Sequence, residues 1–238
     1  MAADSLTFTY RLRFDDDSVK EFNVQLDRNT LDLIPDENSD LPEWTRLDFH
    51  CCTNCPLDPQ LHTHCPIAVN MIDLIEDVKD LVSHQEVDVI VETENRTYQK
   101  RVDIQSVIGS LIGIYMPTSG CPILNKLRPM VETHLPFSTA EDTIYRMVSM
   151  YLFAQYCLQK HGLVPNWDLK GLSAILAEVQ TVNTCFCRRL GAIKTIDKDA
   201  HLNAINILHS LSFMTSMSID TDELRHWERL FITHYAPG

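Results

Sequence analysis

A chain of 238 residues, 45% hydrophobic and 22% charged, is long enough to bury a sizeable core and ordinary in composition for a globular protein. Its formal charge of −13 works against general affinity for nucleic-acid backbone or anionic lipid, both of which are polyanions. No apolar run approaches the ~20 residues that span a bilayer, and no signal-peptide pattern opens the chain. The expectation is a soluble, cytoplasmic protein with neither nucleic acid nor membrane as partner.

Leu6 to Phe14 alternates apolar and polar side chains, as does Val19 to Leu26, and Asp15-Asp16-Asp17-Ser18 between them reads as a solvated turn. A first β-hairpin follows. Residues 27 to 43, rich in Asp, Asn and Pro, read as an irregular surface connection. Trp44 to Phe49 alternates again and suggests a third strand that delivers His50 and Cys51 at its end.

The next stretch, His50 to Pro66, holds four of the eight cysteines and three of the ten histidines. From Pro66 the apolar spacing becomes helical through Val82, and proline suits a first helical turn. Val87–Glu92 and Thr97–Val102 flank a turn and predict a second hairpin. Asp103 is placed to cap an apolar helix running to Met116, in which Gly109 and Gly113 would permit close packing against the sheet. A turn at Pro117-Thr118-Ser119-Gly120 leads into Cys121.

Everything beyond reads as helical. Ser138 and Glu141 have the spacing of a capping box, and that helix should stop near His161-Gly162. Asn166 opens another helix, with Leu169, Leu172, Leu176, Val179, Asn183, Phe186 and Leu190 on a nearly heptad stripe. Asp199 to Met214 and Asp220 to Tyr235 complete the set. The expected fold is α+β: residues 1–102 form an antiparallel sheet region with a cysteine-rich loop and one helix, and 103–238 a helical region packed on it as one unit. The Leu169–Leu190 stripe is core by its ordinary reading; as a surface it would make a homo-oligomer through the helical half.

Cytosolic thiols stay reduced, so metal binding, redox chemistry or burial explains the cysteines better than a disulfide framework. Cys52 and Cys55 form a C-x2-C pair, Cys65 follows and Cys121 lies far on. Four such thiolates can close a tetrahedral zinc site, and His64 or its neighbours His50 and His62 could replace one of them; His134 joins the candidate metal residues. Cys55, Cys65 and Cys121 each precede proline, which also suits an iron–sulfur cluster. Cys157, Cys185 and Cys187 fall in helical patterns and read as small buried hydrophobes.

Other readings of the loop stay open. Cys52 and Cys55 could form a redox couple, although no helix opens after them. Cys65 or Cys121 with His134 could make a nucleophile pair, and a metalloenzyme could use His62, His64 or His134 as proton carriers. No G-x-G-x-x-G, P-loop, H-E-x-x-H or G-x-S-x-G is present, which removes support for nucleotide hydrolysis, dinucleotide-dependent hydride transfer and zincin-type proteolysis.

C-P-L after the C-x2-C pair, H-C-P-I-A-V-N, G-C-P at Gly120 to Pro122 and H-L-P-F before a Tyr-Arg-containing helix together form a pattern. From the cysteine loop through Tyr151 the chain resembles an uncharacterised bacterial family known only as a domain of unknown function. The resemblance implies a bacterial cytosolic origin, brings no mechanism, and singles out Cys55, Cys65, Cys121 and His134.

Overall fold

The structure, a computed structural model, describes residues 5–34, 41–193, 200–221 and 224–236. Four antiparallel strands, β1 (Ser5–Arg13), β2 (Val19–Asp27), β3 (Glu86–Glu92) and β4 (Thr97–Asp103), form one sheet in the order β2-β1-β3-β4. Both hairpins form as the alternation predicts, but β1 also pairs with β3, opposing Tyr10 to Val91 and Leu12 to Val89. The excursion between β2 and β3 must therefore leave the sheet and return to it.

Alternation sets the two faces. Leu6, Phe8, Tyr10 and Leu12 on β1 are buried with Phe22, Val24 and Leu26 on β2 and Val87, Val89 and Val91 on β3. The other face is solvated and cross-linked: Arg11 pairs with Glu21 and Glu92, and Arg101 with Asp15 and Glu86. Such exposed pairs contribute little to stability, ~0–1 kcal/mol each.

The helices are α1 (Pro66–Asn70), α2 (Ile72–Val78), α3 (Ile104–Tyr115), α4 (Pro129–Glu132), α5 (Ala140–Lys160), α6 (Lys170–Gly191), α7 (Ala200–Asp220) and α8 (Arg225–Tyr235). A contiguous buried set runs from Leu6 on β1 to Ile205 on α7 and includes α3, which lies between the sheet and α7. The result is α+β. Among the described residues no helix is long and apolar enough to cross a membrane.

Several boundaries differ from expectation. The strand expected over Trp44 to Phe49 does not form. Pro42 instead precedes a 3₁₀ turn at Glu43–Thr45, and only Arg46 makes an isolated bridge, to His64. The carbonyls of Trp44, Arg46 and Leu47 accept from the guanidinium of Arg189 on α6 rather than from a neighbouring strand. The helix expected from Pro66 breaks at Met71 into α1 and α2, and Val78 closes the second.

Asp103 caps α3 as expected, accepting from the Ser106 amide at 2.9 Å. The capping box of α5 lies one residue later than its sequence signature. Thr139, not Ser138, is the N-cap, exchanging bonds with Asp142, while the Ser138 hydroxyl meets Thr143 instead. At the other end His161 caps the helix, and Gly162 takes a φ of +74° that favours glycine.

Asn166 lies before α6 rather than in it, because the Tyr151 hydroxyl donates to the carbonyls of Asn166 and Asp168 and holds that turn. The stripe on α6 packs largely inside the chain: Leu172, Leu176, Val179, Phe186 and Leu190 are buried, and Leu169 is half-buried. The start expected at Asp199 lies outside the described residues.

Candidate functional site

Four separate segments bring thiols into one neighbourhood. Cys52 interacts electrostatically with Cys185, Cys65, Cys55 and Cys121, and Cys121 with Cys65 and Cys55. Cys51 joins from the rim, beside Cys55. All eight cysteines are free thiols.

Local structure explains each placement. The Cys55 amide donates to the Cys52 carbonyl at 3.1 Å, closing the C-x2-C turn. Asn54 inside that turn donates to the carbonyl and carboxylate of Glu178, tying the loop to α6, and its Oδ1 is buried without a donor. Cys65 is the N-cap of α1 with Pro66 at the first helical position, and its amide donates to the Thr45 carbonyl at 2.7 Å. Gly120, at a φ of +87°, turns the chain so that the Cys121 sulfur lies near the backbone amides of Leu124 and Ile123. Two N–H donors near one sulfur favour its thiolate.

Burial acts the other way. It raises the Cys52 thiol far above its ordinary range, with the neighbouring cysteines adding to the shift, and it raises Cys121 despite the two amides. A cation among these sulfurs would reverse that balance, since a coordinated thiol loses its proton outright. As the sulfurs are placed, no group of three or more His, Cys, Asp or Glu among the described residues is close enough to hold an ion, so coordination requires them to draw inward.

Arg189 on α6 completes the site. It is 1% exposed, lies 5.9 Å from the Phe49 ring centre, and donates to three carbonyls of the segment that leads into the loop. Burial and Cys55 raise the Cys51 thiol, and the charge of Arg189 offsets part of that rise. A buried, permanently charged cation held by carbonyls rather than a carboxylate suits an anionic neighbour such as a tetrathiolate metal complex.

The histidines divide. The Thr45 hydroxyl donates to the Pro42 carbonyl at 2.7 Å and lies 2.8 Å from Nδ1 of His64. With the hydroxyl proton committed, Nδ1 of the neutral ring must be the donor. Nε2 then carries the lone pair, which is the tautomer a metal ligand needs. His50 packs edge-on against Phe49, and His62 is exposed.

His134 belongs to different surroundings. Its Nε2 is 2.7 Å from the Tyr10 hydroxyl and 3.2 Å from that of Ser110, and its ring meets Phe8 edge-on at 5.4 Å. None of these contacts is a cysteine. Burial lowers its pKa to about 3, so it stays neutral near pH 7.

Of the six residues expected to bind metal, Cys52, Cys55, Cys65 and Cys121 come together, His64 adjoins Cys65, and His134 lines a separate cavity. Cys185, read from sequence as an inert core thiol, sits with the loop cysteines. Arg189 was not singled out at all. The signal available for both was their spacing: four residues apart, they share the buried side of α6.

No curated protein and no solved structure matches the chain. A family model described as a domain of unknown function matches residues 8–232, nearly the whole length. The cysteine loop, the Cys121 turn and the His134 segment all lie inside that match, and the protein belongs to this family, DUF6901.

Proposed function

We propose that this is a cytoplasmic protein whose loop cysteines hold a thiolate-bound metal centre that ties the sheet half to the helical half. Cys52, Cys55, Cys65 and Cys121 are the ligands, and zinc is the ion that four thiolates at a tetrahedral site suit best. Cys185 and Nε2 of His64 stand next in line should one ligand be exchanged. The observation that carries this reading is the meeting of Cys52 with Cys55, Cys65, Cys121 and Cys185, drawn from four separate segments. Binding would be coupled to folding, because remote segments are then fastened through one ion.

A second filling, an iron–sulfur cluster, is favoured by the proline after each of Cys55, Cys65 and Cys121. Pro66 and Pro122 follow two of these ligands where the chain turns into a helix or helical turn, which fixes the approach of the sulfur.

Anaerobic purification followed by elemental analysis and a visible spectrum tests the proposal. One equivalent of zinc with no visible band supports the first filling; iron and sulfide with a broad band near the blue end support the second. Either metal should fall well below one equivalent in Cys55→Ser and Cys121→Ser. Metal-free protein that takes up neither zinc nor iron on reconstitution under reducing conditions would overturn both.

A further inference from the structure

A cavity of about 360 Å³ lies between α3 and helices α5, α6 and α7. Its walls are apolar for most of their extent, with Leu124, Leu127, Val179 and Leu208 among them. Small residues on one side of α3, namely Ser106, Gly109, Ser110 and Gly113, keep it open. The sequence suggested that the two glycines bring α3 close to the sheet. At Gly113 the structure shows otherwise, because a Cβ there would meet no atom within 4 Å.

The charge of the cavity runs against that of the protein. The chain carries −13, yet the lining holds two cations, Lys100 and Arg146, and no Asp or Glu among the described residues. Lys100 is an exposed side chain on the edge strand β4, in register with Val89 on the buried side of the sheet, which places it at the mouth. Arg146 donates to the carbonyls of Met130 and Thr133 at 2.9 Å each, and among the described residues no carboxylate lies within ion-pair distance of it. Burial pulls its pKa down, and the Asp142 carboxylate one turn earlier on α5 offsets that only in part.

Asn183 supplies a further pointer. It is 3% exposed and lines the cavity from α6, which places its amide within reach of a polar atom there. An amide both donates and accepts, so it can meet either kind of polar atom on a bound molecule.

We propose that this cavity binds a small monocarboxylic acid with an apolar body, its carboxylate drawn to Arg146 and Lys100 and a polar atom facing Asn183. At about 30 Å³ per water-sized group the space accommodates roughly 12 non-hydrogen atoms, the size of decanoic acid. A concave, mostly apolar space with a few convergent polar groups is the usual form of a small-molecule site. The proposal is independent of the metal centre, since no cysteine lines the cavity.

The test is calorimetric titration of the delipidated full chain with decanoate, octanoate and the uncharged analogue decan-1-ol, all below their aggregation limits. One-to-one saturable binding of decanoate is expected, with decan-1-ol weaker by about tenfold or more. Gly113→Leu extends a side chain into the open space while improving helix propensity, so it should fold, keep its metal content and lose decanoate binding. Lys100→Gln, on an exposed side chain, should weaken decanoate several-fold and leave decan-1-ol unchanged. No saturable binding of either acid, or binding untouched by Gly113→Leu, overturns the site; equal affinity for acid and alcohol overturns its anion selectivity. Metal content is read on the same samples, so failure of one proposal is distinguishable from failure of the other.

Discussion

Replacing Arg189 by methionine keeps most of the side-chain volume and removes the charge and every donor. Two of its bonds, to the carbonyls of Arg46 and Trp44, are short at 2.6 and 2.7 Å, and the third, to Leu47, is long at 3.3 Å. A hydrogen bond to a charged group contributes ~1.5–3 kcal/mol, so losing the two short bonds costs ~3–6 kcal/mol before any compensation. The unfavourable desolvation of the buried guanidinium is relieved at the same time, which returns part of that sum. A net destabilisation of about 3 kcal/mol follows.

Urea unfolding measures it directly. With a slope of ~2–3 kcal/mol/M, a loss of about 3 kcal/mol moves the midpoint down by ~1–1.5 M at unchanged slope. Arg189→Lys keeps the charge but reaches one or two of the carbonyls, and should fall about halfway between. The carbonyls held by Arg189 flank Thr45, whose own carbonyl receives the amide of Cys65, so metal content should fall together with stability. A methionine variant whose midpoint stays within ~0.3 M of the parent, with metal content intact, would refute the idea that Arg189 holds this segment in place.

Three other outcomes are expected. His134 is neutral in the folded chain down to about pH 3 but takes a proton near pH 6.5 when unfolded. Its share of the stability is therefore complete above pH 6.5 and is lost as pH falls toward 3, by up to ~1.4 kcal/mol per pH unit; His134→Gln should flatten the stability profile over that window, and parallel profiles would contradict it. Gly171→Ala should destabilise by ~1–3 kcal/mol in chemical unfolding despite better helix propensity, because the new methyl meets the Tyr151 hydroxyl and Asn166 and displaces Tyr151 from the turn it holds. Thr139→Ala should cost ~1 kcal/mol while Ser138→Ala costs less, an order that reverses if Ser138 is the true cap of α5.

What the sequence showed plainly was governed by short-range periodicity. Both hairpins, the cap at Asp103 and the stop at Gly162 follow from neighbours within a few residues, and each appears where expected. The failures share a different cause. Trp44 to Phe49 alternates like a strand, but its carbonyls find a guanidinium from α6, about 140 residues away. A tertiary donor outside any local window had decided that segment. The capping box slipped by one because Ser138 and Thr139 each offer a hydroxyl and an acidic partner three residues on. Asp142 rather than Glu141 made the reciprocal bond.

The thiol set was legible in the loop and the Cys121 turn, where proline follows Cys55, Cys65 and Cys121. It was not legible at Cys185, whose surroundings are an ordinary amphipathic helix. Arg189 was equally hidden, since arginine near a helix C-terminus reads as a partner for the dipole. His134 carried a motif that drew it toward the metal. The structure gives it to Tyr10 and Ser110 instead.

Helix α6 connects the two proposals. Val179 and Asn183 are one turn apart and line the cavity, while Cys185 and Arg189 are one turn apart and face the thiol loop. At 100° per residue, the centre of the Val179/Asn183 pair lies about 120° around the helix from that of the Cys185/Arg189 pair, so the pairs occupy different sides of one helix, and both sides are buried. A ligand in the cavity and an ion among the sulfurs therefore share a wall without sharing an atom. Any influence of one on the other has to travel as a rotation or shift of α6 itself. Arg189 opposes that motion through its three carbonyls, so removing it should loosen both sites at once, whereas filling the cavity at Gly113, on α3, should leave the thiols undisturbed.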